Sequence, residues 1–195
     1  AYAGRFEFLE RARERLASIV PATLAIIVFL LFMAFRRTAD VVMLAASLPV
    51  ALAGGAWLIY LLGFNISVAI IVGFIALAGV AVETAIIMLV YLNLALERHR
   101  QAAGQEGRVL SRADLEAAVQ EGAVLRLRPK MMTVITIFAG LMPLMIGSGT
   151  GAEVMQRIAA PMIGGMVTAT LLTLFVIPAL FLLWHRRGLP AGAAG

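Results

Sequence analysis

Residues 66–96, ISVAIIVGFIALAGVAVETAIIMLVYLNLAL, decide the fold. The run carries one charge, Glu83, near its middle. A helix that crosses the hydrocarbon core of a bilayer needs about 20 predominantly apolar residues. This run is longer than that, and its apolar residues do not alternate with charges as on the surface of a soluble helix. Four similar blocks lie on either side, at about 19–35, 41–62, 131–147 and 158–184, none with a charge. The reading is an all-α integral membrane protein with about five transmembrane helices. Pro21, Pro49, Pro143, Pro161 and Pro178 fall inside or near the ends of these blocks. Membrane helices tolerate proline because neighbours can satisfy the freed carbonyls.

Composition agrees. Of 195 residues, 62% are hydrophobic and only 14% charged, against about half and about a quarter in soluble domains. The absence of cysteine excludes disulfides, thiolate metal sites and cysteine nucleophiles. No cofactor is expected: no phosphate-binding glycine loop follows a strand, and His99 and His185 form no metal motif. The net charge of +5 does not indicate nucleic acid, because the positive residues sit in the joints between apolar blocks.

Those joints set an orientation. Arg36 and Arg37 follow the first block. Arg98, Arg100, Arg108, Arg112, Arg126, Arg128 and Lys130 follow the third, and Arg186 and Arg187 follow the fifth. Five crossings put all three segments on one side, which the positive-inside rule makes the cytoplasm. Residues 1–18 are then expected outside, as an amphipathic lead-in helix. Residues 97–130 are expected as a cytoplasmic loop and 185–195 as a disordered cytoplasmic tail. Within the loop, Ser111 and Asp114 resemble a capping box that starts a short helix. Its face of Leu115, Val119, Gly122 and Leu125 suits a membrane surface or a solvated linker. The start at Ala1, in a polar stretch, suggests a piece of a longer protein.

Few residues can carry chemistry. Glu83 is the one acid inside any block. A charge at that depth costs on the order of 3 kcal/mol even on insertion scales, so such residues are functional candidates. Ala76 and Gly79 share its helix face and would let another helix close over it. Glu83 is therefore expected inside the bundle. Lys130, at the cytoplasmic start of its block, either snorkels to water or joins a charge relay with Glu83. Thr133, one turn deeper, either extends that path or bonds its own backbone. Methionines are soft ligands for monovalent copper or silver and also good gap-fillers. Met155, expected in the outer loop, is the single weak metal candidate.

Two phrases carry a resemblance: GFIALAGVAVETAIIMLVYL at 73–92, and LRLRPKMMTVITIFAGLMPLMIGSGTGAEVMQRIAAPMIGGMVTATLLTLFVIPAL at 125–180. They resemble the resistance-nodulation-division (RND) efflux transporters, over about Gly4 to Trp184, as the last five of that family's twelve helices. Drug-exporting members usually carry Lys at the place of Glu83 and an apolar residue at the place of Lys130. Glu83 and Lys130 together, with GAEVMQRIAAPM downstream, resemble the heavy-metal branch.

The resemblance implies a proton antiporter, not an enzyme, in the bacterial inner membrane. It implies a homotrimer joined to a periplasmic adaptor and an outer-membrane channel, exporting a metal cation. It also implies that the N-terminal half and the periplasmic domains lie elsewhere, so this chain supplies only part of a proton relay through Glu83, Lys130 and, more weakly, Thr133. The competing readings are an RND exporter of organic compounds and a non-transporting membrane fragment or scaffold.

Overall fold

The computed structural model describes residues 17–19, 21–30, 32–33 and 38–186. Residues 1–16 and 187–195, which hold most of the expected lead-in helix and tail, lie outside the described residues. The chain divides into two compact units, 1–42 and 43–195. The first contains a short apolar helix, α1 (Ala17–Leu30), and the first residues of α2 (Thr38–Leu61). The second continues α2 and holds α3 (Val68–Gln105), α4 (Arg112–Ile146), α5 (Ala152–Leu171), a π-helical turn (Leu172–Val176) and α6 (Ile177–Arg186). No strand occurs among the described residues. Among the described residues, four helical stretches are long and apolar enough to cross a membrane: Ala39–Leu61, Val68–Gln105, Arg112–Ile146 and Ala152–Arg186. With α1 this gives the all-α, roughly five-helix membrane fold that the sequence predicts. Large apolar side chains such as Ile135, Ile146 and Phe175 point outward, as they must where the solvent is lipid. Trp57 and Tyr60 meet edge-to-face, 6.4 Å between centroids, near the end of α2, where aromatic rings favour the membrane–water boundary.

α3 is the hub. Its buried residues, Ile70, Gly73, Leu77, Ala81, Ala85, Met88, Leu92 and Ala95, recur every three or four positions. They form one stripe that faces α4 and α5. The stripe is narrow because the contacts are close. A Cβ on Gly73 would lie 2.4 Å from the Ile158 carbonyl oxygen, and one on Gly165 would lie 2.1 Å from Leu77 Cδ2. α5 meets α2 in the same way, with a Cβ on Gly164 falling 2.5 Å from the Gly54 carbonyl oxygen. Thr168 Oγ1 donates across that crossing to the Ala51 carbonyl at 3.0 Å. Apolar side chains gain little by leaving lipid for each other, so close backbone approach and interhelical hydrogen bonds do the joining.

The joint expected as a loop over 97–130 is helical for most of its length. α3 runs on to Gln105 and α4 starts at Arg112. At about 1.5 Å per residue, a 38-residue helix is roughly 57 Å long, well beyond a hydrocarbon core of about 30 Å. The capping box forms: the Asp114 amide donates to Ser111 Oγ at 3.1 Å, and the Ser111 amide donates to Asp114 Oδ2 at 2.9 Å. Arg108 pairs with Asp114 from the turn. The face of Leu115, Val119 and Gly122 is buried against protein, not laid on a membrane surface. Gly122 touches the Leu92 backbone, where a Cβ would lie 3.1 Å from Leu92 Cα. Glu121 accepts from Arg98 at 3.2 Å and pairs with His99 at 3.1 Å, and Arg126 stacks over Tyr91 at 4.8 Å. Leu125, the fourth residue of the expected face, is 49% exposed. Pairing with α3 overrode the amphipathic pattern because α3 continues far enough to receive it.

The glycine crossings give a direct test. In Gly164→Ala the added methyl meets the Gly54 backbone, which cannot swing aside, and overpacking of this kind costs about 1–3 kcal/mol. Thermal melting in detergent is expected to fall clearly for Gly164→Ala. Gly140→Ala, on the open face of α4 where a Cβ meets nothing within 4 Å, is expected to melt at or slightly above the parent temperature. Equal melting of the two variants would show that the α2–α5 crossing is not a tight contact.

Candidate functional site

α4 carries Pro129 inside the helix, followed by Lys130. Proline has no amide proton and clashes with the carbonyl one turn back, which loosens the local helix. Lys130 points from this place into the bundle. It is 6% exposed, so it does not snorkel to water. Its Nζ lies 3.5 Å from Thr173 Oγ1, at the outer limit of a hydrogen bond. Among the described residues it has no ion pair. An ammonium held in a protein interior without a carboxylate is costly.

Thr173 belongs to the π-helical turn, where the Ile177 amide donates to the Leu172 carbonyl, one residue further back than in an α-helix. The turn precedes Pro178 in α6. The missing proline amide leaves the ladder short of a donor at that point, and widening to a π-turn re-pairs part of it. Such single turns collect at functional sites because they leave backbone and side chains in non-standard positions. Thr173 also donates to the Ala169 carbonyl and is buried, so its hydroxyl oxygen faces Lys130 from a fixed position.

The other expected site residues are placed differently. Glu83 does not sit inside this chain's bundle. It is exposed on α3, on the face away from the buried stripe. Among the described residues it has no hydrogen bond or ion pair. Ala76 is partly exposed and Gly79 fully so, and a Cβ on Gly79 meets nothing within 4 Å. The expected small-residue face therefore exists but is open. Glu83 and Lys130 make no contact with each other. Thr133 is exposed and donates to the Pro129 carbonyl at 3.2 Å, so it bonds its own helix rather than extending a path from Lys130.

Met155 lies in the first turn of α5, not in a loop, and is half exposed. No group of three or more His, Asp or Glu side chains is placed to hold a metal ion among the described residues. Reading the sequence missed Thr173. Its signal was a hydroxyl in an uncharged block five residues before Pro178.

Comparison with known proteins supplies the family. A sequence profile described as the AcrB/AcrD/AcrF family matches residues 1–185. The chain is similar to the cation efflux system protein CusA of Escherichia coli (strain K12), with 52% identity over 188 residues, covering 96% of this chain and 18% of that protein. It is similar to the cobalt-zinc-cadmium resistance protein CzcA of Cupriavidus metallidurans, with 38% identity over 186 residues, covering 95% of this chain and 16% of that protein. A crystal structure of a heavy metal efflux pump superposes with a TM-score of 0.75 at 37% identity, covering 94% of this chain and 17% of that one. The chain thus spans less than a fifth of the length of these relatives. With a family profile matched over almost its whole length and a shared membrane fold, the chain belongs to the AcrB/AcrD/AcrF family, the RND efflux transporters, and is similar to members that handle heavy metals.

Proposed function

We propose that this chain is the C-terminal membrane part of a proton-driven pump that exports heavy-metal cations across the bacterial inner membrane. The observation that carries the reading is the buried Lys130, without an ion pair among the described residues and held against the π-turn hydroxyl of Thr173. A proton moving across 100 mV supplies about 2.3 kcal/mol, so coupling needs groups that change charge inside the bilayer. In this reading Glu83 is the acid that binds and releases the proton, and its open face docks against helices from the rest of the transporter. When an acid from that remaining part is ionised beside Lys130, the ammonium lowers the cost of the buried charge. When the acid is protonated that attraction is lost, and the α4–π-turn contact is free to shift. The similarity to CusA and CzcA supports a metal cation as cargo over an organic compound. Met155, on the exposed first turn of α5, is the one residue here proposed to meet it. A trimer with a periplasmic adaptor and an outer-membrane channel completes the proposal.

The test uses the intact transporter carrying this segment, expressed in a metal-sensitive bacterium lacking its own pump. Glu83→Gln keeps shape and hydrogen bonding but cannot ionise. It is expected to reduce proton-coupled metal export by roughly tenfold or more, equivalent to about 1.4 kcal/mol on the limiting step, at unchanged membrane levels. Because Lys130 is buried, Lys130→Met is expected to do comparable harm. Thr173→Val, which removes the hydroxyl at nearly constant volume, is expected to lower transport less. Near-normal export by both Glu83→Gln and Lys130→Met would refute the relay. Resistance to organic compounds alone would transfer the chain to the drug-exporting reading.

Topology is tested separately. A reporter fused at Gly107, in the turn between α3 and α4, is expected to report from the cytoplasm. A signal from the outside would invert the proposed orientation.

A further inference from the structure

At the opposite end of the bundle from Gly107, the first turns of α3 and α5 flank a groove of about 550 Å³. It is lined by Val68, Val72 and Ile158 among other apolar residues and by the charged Glu153 and Arg157. These two side chains lie one turn apart on α5, the spacing at which opposite charges ordinarily pair. Here they do not. Among the described residues Glu153 has no partner, and Arg157 has only a distant contact over the Phe64 ring, 6.0 Å to the centroid. A third group in the groove is also unsatisfied. Ser67 is the N-cap of α3, yet its hydroxyl caps no backbone amide. The Ser67 Oγ is the one buried side-chain polar atom without a hydrogen-bond partner among the described residues. Buried hydroxyls without partners are rare and call for one.

We propose that this groove is a binding site for a zwitterionic phospholipid with a primary ammonium, phosphatidylethanolamine. The charges fit that headgroup in both signs. Arg157 offers a planar fork of donors to the phosphate, while the Glu153 carboxylate accepts from the ammonium. The site lies where the apolar stretches of α3 and α5 begin, which is the depth of the headgroup and glycerol in a bilayer. The apolar lining continues along both helices and receives the upper part of an acyl chain. Ser67 lines the same groove, and its unpartnered hydroxyl is the donor left for a glycerol ester oxygen. An anionic lipid satisfies Arg157 but leaves Glu153 facing a negative charge. A choline headgroup has no N–H to donate to Glu153. The groove therefore discriminates among lipids that share the same tails. This reading is independent of the proton relay, which lies on other residues.

The test is lipid retention by the intact transporter, purified from nanodiscs made with equal parts phosphatidylethanolamine, phosphatidylglycerol and phosphatidylcholine, and read by native mass spectrometry. The parent is expected to retain phosphatidylethanolamine at least several-fold over the other two. Glu153→Gln is expected to shift the preference to phosphatidylglycerol, because the remaining charge is positive. Arg157→Gln is expected to remove retention of both. Exchanging the pair, Glu153→Arg with Arg157→Glu, is expected to restore part of the phosphatidylethanolamine preference, since both signs are again present in the groove. Val72→Trp, which fills the groove and leaves both charges, is expected to abolish retention in a protein that still melts cooperatively. Equal retention of the three lipids by the parent, or a preference unmoved by Glu153→Gln and Val72→Trp, would overturn the proposal. So would a groove already filled by protein in the intact transporter.

Discussion

The close crossing of α5 over α2 and α3 is the contact from which the arrangement of the 43–195 unit follows. In lipid, apolar area gives helices little reason to prefer one another over the surrounding chains. What remains is dispersion at short range, together with hydrogen bonds that water does not compete for. Gly54, Gly73, Gly164 and Gly165 remove the side chains that would hold the backbones apart, and Thr168 then reaches the Ala51 carbonyl. With α5 seated this closely, α6 follows through the π-turn, and Thr173 comes to lie opposite Lys130.

The membrane class, the apolar blocks and the existence of a helix start at Ser111 were legible in the sequence because each rests on local signals: run length, charge placement and cap chemistry. The joint 97–130 was misread for a physical reason. Hydropathy falls where a helix leaves the bilayer, but helical backbone does not stop there. α3 and α4 continue as a pair held by Gly122 on Leu92, by Glu121 on Arg98 and His99, and by Arg126 on Tyr91. Those contacts join residues more than twenty positions apart, which no periodicity within one segment encodes.

The candidate site was half legible. A lone acid in an apolar helix and a lysine at a block boundary are visible by inspection, but their orientation is not. Glu83 faces outward and Lys130 inward, opposite to what depth and snorkelling suggest. The Ala76–Gly79 face beside Glu83 has the small residues that close helix contacts use, and among the described residues nothing lies within 4 Å of a Cβ placed on Gly79. Thr133 illustrates the ordinary preference of a membrane threonine for its own helix, while Thr173 keeps such a bond and still presents its oxygen to a neighbour.

The π-turn also solves a problem of phase. Ala169, Thr173, Ile177 and Phe181 are all buried, and they are spaced by four residues each time. In an unbroken α-helix of 3.6 residues per turn, a four-residue step overshoots a full turn by about 40°, so three such steps would walk the stripe about 120° around the helix. The wider turn at 172–176 takes up an extra residue, worth about 100° of rotation, and brings the stripe back almost to its starting meridian. Rewinding 172–176 as ordinary α-helix with every residue kept would turn each residue from Ile177 onward by about a quarter of a revolution, trading the buried Phe181 for the lipid-facing side of α6. Deleting one residue there would instead let the turn close to α-helix and leave Phe181 where it is.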